Sequence, residues 1–437
     1  MTKQTIGIDG YNLALPNGTG VATYGFMLAN TLRAAGHDVT GVFGVDAGAD
    51  PDMHEIMFYE RLGQVPPTRQ LRRKRSRRIL RAALRPFHVR GTADVPQAGR
   101  VETASLAERL PTFDRLVTSP DLFEVAHRHF RIYGRFLRLR VPSPPQLMHW
   151  TYPLPITIEG SANIYTFHDL VPLRLPYTTL DAKQSYRALL AGCIANGQHI
   201  CTVSEASRAD IIAEFQLPPD RITNTYQASP LQIGANNADE DAAIVENVFG
   251  LPHRGYFLHF GAIEPKKNIG RLLEAYLSTG SAAPLVMTGS RGWRSEEELK
   301  LLVPEDEADT VHGRRMAERV RRLEHLPRAL LTRLIRGARA VLFPSIYEGF
   351  GLPVLEAMQL GTPVLTSNLG ALAEIAGAAA LLVDPYDVSA IAEGIRTLDH
   401  DAALRARLAA SGVEAASRFA IPAYQARLQE MYDRVSS

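Results

Sequence analysis

The sequence predicts an α/β protein of two doubly wound domains facing a cleft, and three observations predict it. A chain of 437 residues has room for two or three domains of ordinary size. Short apolar runs alternate with helix-length amphipathic stretches, which is the signature of β–α–β units. The alternation begins near residue 5 and starts again near residue 256. With 46% hydrophobic and 22% charged residues, the composition is that of a folded globular chain and excludes collagen, coiled coil and wholesale disorder.

Residues 5–8 read as a strand, Asn17-Gly18-Thr19-Gly20 as a glycine turn, 21–35 as a helix ended by Gly36, and 39–45 as the next strand. This is a βαβ opening with its glycines at a helix N-terminus. The second unit offers a strand at 256–261, a helix at 269–276 and strands at 285–288 and 340–343. Residues 228–250 are polar, acidic and aperiodic, and are expected to be linker. The charged stretch 294–322 is expected to be a solvated excursion. Near the end, Tyr424, Leu428, Met431 and Val435 share one face of a helical pattern. The expected division is 1–232, a linker 233–250, 251–415, and a final helix within 416–437 that packs back on the first domain.

Cys193 and Cys201 are the only cysteines. They exclude a disulfide scaffold and fit a reducing compartment. The N-terminus runs straight into a strand with no leader pattern, and no apolar run approaches the ~20 residues that span a bilayer. The expectation is a cytoplasmic protein.

The most informative stretch is 340–384. Glu348 and Glu356 are separated by seven intervening residues that include Gly349-Phe350-Gly351, and Pro353 suits the first turn of a helix. Free N–H groups near Gly351 and Leu352, with the helix dipole behind them, would hold a diphosphate. A carboxylate one turn further in can accept from ribose hydroxyls, and the loop carboxylate from hydroxyls on whatever the diphosphate carries. The spacing alone favours two glutamates that merely cap and solvate a helix, and the whole string is more specific.

The whole string resembles the signature of glycosyltransferase family 4, the retaining nucleotide-sugar glycosyltransferases of GT-B fold. Residues 256–268 (YFLHFGAIEPKKN), 202–208 (TVSEASR), 166–173 (TFHDLVPL) and the Gly18-Thr19-Gly20 turn match in the family's order. Residues 50–110 and 295–325 lie outside the resemblance. It implies an N-terminal acceptor domain, a C-terminal donor domain and a nucleotide-sugar donor. Carried over, it places Glu348 on the hexose hydroxyls and Glu356 on the ribose. Phe350, Gly351, Leu352, Gly18 and Gly20 belong to donor-binding loops, and Lys267 neutralises the departing diphosphate. Gly261-Ala262 stands where relatives often have Gly-Arg, and Lys266 is the candidate replacement. His168 would contact the sugar, with Asp169 orienting it, helping with the acceptor, or equally capping the next helix. Segments 263–268 and 289–293 (GSRGW) look like mannosyltransferase relatives, which makes GDP-mannose the first expectation. No cofactor and no metal are implied; Asp239-Glu240-Asp241 sits in the expected linker, and nothing has zinc-ligand spacing.

The formal charge of +2 divides into 26 Lys+Arg against 20 Asp+Glu in residues 1–235, or +6, and 22 against 26, or −4, in the remainder. Ten cations and no acid occupy 69–90, among them Arg72, Arg73, Lys74, Arg75, Arg77 and Arg78. A helix there would gather Ile79, Leu80, Ala83, Leu84 and Phe87 on one face. Residues 127–141 place Arg128, Arg131, Arg135 and Arg138 on another helical face, with aromatics between. Basic amphipathic stretches read as membrane-surface elements or lipid-pyrophosphate sites, which would put the protein at the inner face of the membrane. Nucleic acid is not an expected partner. The competing functions are a sugar-nucleotide epimerase of the same shape and a silent nucleotide-sugar-binding partner.

Overall fold

The computed structural model describes residues 3–15, 20–64, 69–85, 89–107, 109–178, 182–229, 231, 238–302, 310–323 and 326–436. In chain order the first strands are β1 (Thr5–Asp9), β2 (Asp38–Phe43), β3 (Val89–Gly91), β4 (Ala93–Val95), β5 (Arg115–Thr118) and β6 (Leu137–Arg140). They are followed by β7 (Leu147–Trp150), β8 (Ile156–Ile158), β9 (Ala162–Phe167), β10 (His199–Thr202) and β11 (Ile222–Asn224). Among the described residues, eight of these form one sheet in the order β11-β10-β9-β7-β1-β2-β5-β4, parallel except where β4 runs against β5. Strands β3, β6 and β8 make a small parallel sheet beside it.

The second domain carries β12 (Phe257–Phe260), β13 (Leu285–Thr288), β14 (Val320–Leu323), β15 (Ala340–Phe343), β16 (Val364–Ser367) and β17 (Leu381–Val383). They form a parallel sheet ordered β14-β13-β12-β15-β16-β17. Every residue of β12, β13, β15 and β16 is buried. Helices cover both faces of such sheets, which is why these strands read as unbroken apolar runs. In both sheets the strand order reverses beside the first strand, β1 and β12. The carboxyl ends there open onto a crevice.

Three expectations are corrected. Residues expected to be linker contain the helix Ala238–Phe249. It belongs to the second domain, because Asp241 pairs with Arg333 at 3.1 Å and Arg336 at 2.9 Å on the helix Arg328–Gly337. The expected excursion at 294–322 supplies the helix Val311–Arg319 and most of the edge strand β14. The supposed helical face at 127–141 is broken. The helix Leu122–Tyr133 stops at Gly134, whose φ of 63° ends it in the left-handed region, so Arg135 follows it and Arg138 lies on β6 with Glu159 at 3.3 Å.

The helix Ile421–Ser436 returns to the first domain and completes its core. Tyr424, Leu428, Met431 and Tyr432 are at most 1% exposed and belong to one apolar cluster with Ile6, Leu28, Val354 and Leu355. Gln4 Nε2 donates to Ser436 Oγ at 3.0 Å. Beneath, His149 lies 2.6 Å from the Tyr432 hydroxyl through Nδ1 and 2.8 Å from Thr166 Oγ1 through Nε2. Burial pushes this imidazole down to about 3, with the charges of His168 and His199 adding to the effect.

The pH dependence follows. Between 6.5 and about 3 the unfolded chain binds a proton at His149 that the folded chain refuses. The stability it contributes is therefore full above pH 6.5 and lost as pH falls through that window. His149→Gln should melt lower at pH 7.5, by the ~1–3 kcal/mol of a disrupted buried hydrogen bond, yet lose less between pH 7 and 4.5 than the wild type. Parallel melting curves would assign the acid sensitivity elsewhere.

Candidate active site

The site forms where the carboxyl ends of β9, β7 and β1 meet the loop after β15. His168 follows β9, and its Nε2 donates to the Thr151 carbonyl at 2.8 Å. Tyr24 stands edge-on to the ring at 4.9 Å. Burial lowers the His168 pKa; the Thr151 carbonyl and Asp169 oppose this, and Lys266 reinforces it. The ring is neutral near pH 7, with its proton on Nε2 and Nδ1 as an acceptor. Thr151 is itself held by Asp9, whose Oδ2 accepts from the Thr151 N–H at 2.5 Å while Oδ1 accepts from Tyr11 at 3.1 Å. Burial raises the Asp9 carboxyl to about 6. A chain of contacts thus runs from Asp9 through the Thr151 peptide to His168.

On the opposing domain Glu348 is 9% exposed and lies 2.5 Å from Lys267 Nζ and 4.0 Å from Lys266 Nζ. Burial alone would raise its pKa, but Lys267 and Lys266 overcome this and hold it below the usual carboxylate range. Lys266 moves the other way: burial would lower it, and Glu348, Asp169 and Glu264 raise it. Glu348 is therefore ionised and Lys266 keeps its charge. The Phe343 ring under Lys267 Nζ at 4.8 Å adds to its fixing. Asn268, at φ 63°, ends the lysine turn and ties it to Pro344 and Pro385 through their carbonyls at 3.0 and 2.7 Å.

Gly351 opens the helix Leu352–Gln359 at φ 108°, and a Cβ there would meet Leu372 at 2.6 Å. Val354 and Leu355 both donate to the Gly351 carbonyl, and Pro353 has no N–H. Among the described residues the Gly351 and Leu352 N–H groups have no acceptor. They are the donors available to an anion. One turn in, Glu356 receives Arg328 at 3.0 Å; burial raises this carboxyl and Arg328 opposes the rise.

The two halves touch at Gly349. A Cβ there would come within 2.4 Å of the His168 carbonyl oxygen, so only glycine lets the loops approach so closely. Ser207 Oγ lies 3.0 Å from the His168 carbonyl and 3.3 Å from that of Gly349. Beside it, Glu374 of the second domain accepts from the Glu205 and Ala206 N–H groups at 2.8 and 2.9 Å, capping a helix of the first. The Tyr347 hydroxyl donates to Asp210 at 2.6 Å.

His168, Lys266, Lys267, Glu348, Gly351, Leu352 and Glu356 thus line one crevice. Asp169 Oδ1 accepts from the Val171 N–H at 3.0 Å, and its charge is felt at both His168 and Lys266. Phe350 needs correction. Its side chain is 3% exposed and packs on Phe419 at 5.5 Å and Tyr226 at 6.4 Å, so it serves the domain junction, not the donor. Gly20 starts the first helix with open space around it, and Gly18 lies outside the described residues. Asp9, Arg328 and Glu374 were missed. Their partners are 28 to 169 positions away, and no local pattern announces them. Among the described residues no three His, Cys, Asp or Glu side chains gather as a metal site.

Comparison with known proteins agrees with this geometry. Residues 247–414 match the family model "Glycosyl transferases group 1". Over 271 residues, 61% of this chain and 68% of the relative, the sequence is 35% identical to the O-antigen chain mannosyltransferase B of Escherichia coli. It is 25% identical to the D-inositol 3-phosphate glycosyltransferase of Corynebacterium glutamicum, covering 62% of this chain and 66% of that one. The fold superposes on Anabaena HepE, solved with UDP and glucose, at a TM-score of 0.60 and 14% identity over 98% and 99% of the two chains. The chain belongs to the group 1 glycosyl transferases, and its two sheets are those of the GT-B fold.

Gly349→Ala tests the contact between the halves. Its methyl must push the Glu348 loop away from His168. Since a displacement of ~1 Å can cost about 100-fold in rate, activity should drop by at least about tenfold while the melting temperature barely moves. Unchanged turnover would show that the loops need not meet.

Proposed function

We propose that the protein is a retaining mannosyltransferase that moves mannose from GDP-mannose to a lipid-linked glycan during synthesis of a surface polysaccharide. The observation that carries the catalytic reading is the buried Glu348 held ionised between Lys267 and Lys266, one residue before the Gly349 that abuts the His168 carbonyl. The choice of mannose and of a surface polysaccharide rests on the 35% identity to an O-antigen mannosyltransferase.

In this reading the diphosphate of the donor lies against the Gly351 and Leu352 N–H groups and the two lysines. As the bond from the anomeric carbon to the phosphate oxygen lengthens, negative charge grows on that oxygen and these fixed groups stabilise it. Glu348 accepts from hexose hydroxyls, Nδ1 of the neutral His168 accepts from another, and Glu356 with Arg328 takes the ribose. The acceptor hydroxyl attacks the oxocarbenium-like centre from the face the diphosphate leaves, and its proton passes to the departing phosphate oxygen. Front-face attack is supported by the state of the nearby carboxylates, because Glu348 is committed to Lys267 and Asp169 to the Val171 N–H. The lysines supply the charge the reading requires, so it calls on no cofactor.

The test is transfer from GDP-mannose to a lipid-linked acceptor, with the product's anomeric centre read by NMR. The donor's configuration should be kept; an inverted product overturns the mechanism. Glu348→Gln and Lys267→Ala should each lower kcat by about 100-fold or more, and wild-type turnover in either would remove that residue from the site. Inactivity with GDP-mannose alongside activity with a UDP-sugar would change the donor and leave the transferase standing.

A further inference from the structure

The helix Arg69–Ala83 lies in a region outside both the motif resemblance and the family match at 247–414. Its cations fall into two groups with different work. Arg75 pairs with Asp121 and Glu124, each at 2.6 Å, and Arg78 with Asp46 and Asp121, each at 2.6 Å. These pairs, with Ile79 at 4% and Ala83 at 0% exposure, clamp the helix to its domain. Arg75 and Arg78, expected to face a membrane, are thus engaged within the protein, and Leu80 and Leu84 point away from Ile79 and Ala83, at 44% and 50% exposure.

The second group faces a cavity of about 720 Å³ lined by Lys74, Arg77, Arg78, Arg81, Arg85 and Arg90. Positions 74, 77, 78 and 81 recur at helical spacing and share one face, and Arg85 follows two residues past the helix end. Arg90 arrives from β3 and is held by Ser119 Oγ at 3.2 Å and the Pro120 carbonyl at 2.6 Å. Among the described residues no acid lines this cavity, and Lys74, Arg77, Arg81 and Arg85 have no acidic partner. Burial lowers the Arg90 pKa; Asp121 resists this and Arg78 adds to it. Ser119 and Pro120 follow β5, so the cavity opens at the carboxyl end of the parallel sheet, the edge that also carries His168. Lys74, Arg77, Arg81 and Arg85, gathered here with no acid paired to them, repel one another. Arginine forks are the side chains best matched to phosphate oxygens.

We propose that this cavity is a second phosphate-binding site, separate from the donor crevice, that takes a phosphate or diphosphate group of the acceptor or of a lipid headgroup. The inference stands apart from the donor chemistry, which could fail without touching it.

The experiment measures inorganic pyrophosphate binding by calorimetry in the Lys267→Ala protein, where the donor crevice is weakened, with and without Arg77→Gln, Arg81→Gln and Arg85→Gln. These side chains are exposed and glutamine keeps helix propensity, so the fold should survive; Arg81→Glu alone serves as a second variant. The triple change should weaken pyrophosphate by about 100-fold, given the strength of hydrogen bonds to charged groups. Parallel sedimentation uses vesicles of phosphatidylglycerol against vesicles of phosphatidylcholine alone. Loss of pyrophosphate binding supports the site with a soluble or acceptor phosphate as its source. Absence of pyrophosphate binding, with phosphatidylglycerol binding lost in the variants, supports the same site with headgroups as its source. Binding to both probes that ignores these arginines, or binding to neither, overturns the proposal.

Discussion

The approach of Gly349 to the carbonyl of His168 is the constraint on which the rest of the site depends. The two sheets carry their groups on separate loops, and the chemistry is useful only if those loops meet in one register. A hydrogen atom in place of a side chain at Gly349 sets how near they come. Ser207, placed between the two loop carbonyls, and Glu374, capping the opposite domain's helix, hold that register with polar groups that tolerate few other distances.

Within that frame the Glu348–Lys267 pair gives the crevice its electrostatic character. At Glu348 and at Lys266 burial opposes the charge and the opposite charges beside it restore it, while Lys267 closes on the same carboxylate. Deleting one of a buried pair typically costs about 3–5 kcal/mol, because the survivor is left uncompensated. A bound diphosphate would enter as a further anion beside the two lysines. The cationic cavity at the edge of the first domain shows the opposite arrangement: Arg78 there is paired with Asp46 and Asp121, but Lys74, Arg77, Arg81 and Arg85 have no acidic partner among the described residues.

What the sequence disclosed follows from how local each feature is. The run from Glu348 to Glu356 is a loop and one helix turn, so residue types and spacing sufficed to place its carboxylates and N–H groups. The strands 285–288 and 340–343 were legible because strands buried on both faces are continuous apolar runs. Asp9, Arg328 and Glu374 were invisible, since each acts on a partner supplied by topology. The helix Ala238–Phe249 was hidden by its acidic opening, whose Asp241 makes sense only opposite Arg333 and Arg336. The same limit misled the reading of Arg75 and Arg78, because composition cannot reveal Asp46, Asp121 and Glu124 folding in beside them. Phe350 sat in a catalytic string yet packs on aromatics 69 and 124 positions distant.

The return of the helix Ile421–Ser436 to the first domain means that the chain passes between the domains twice, once after Tyr226 and once near Phe419. Two covalent crossings act as the two pins of a door. They suppress sliding and twisting and leave essentially one rotation, about the line that joins them. Tyr226 and Phe419 stack at 5.2 Å, and Phe350 completes the cluster. That axis therefore runs beside the loop that carries Glu348. A part so near that line would travel little if the far rim of the crevice swung, so Glu348 and Gly349 would stay almost in place.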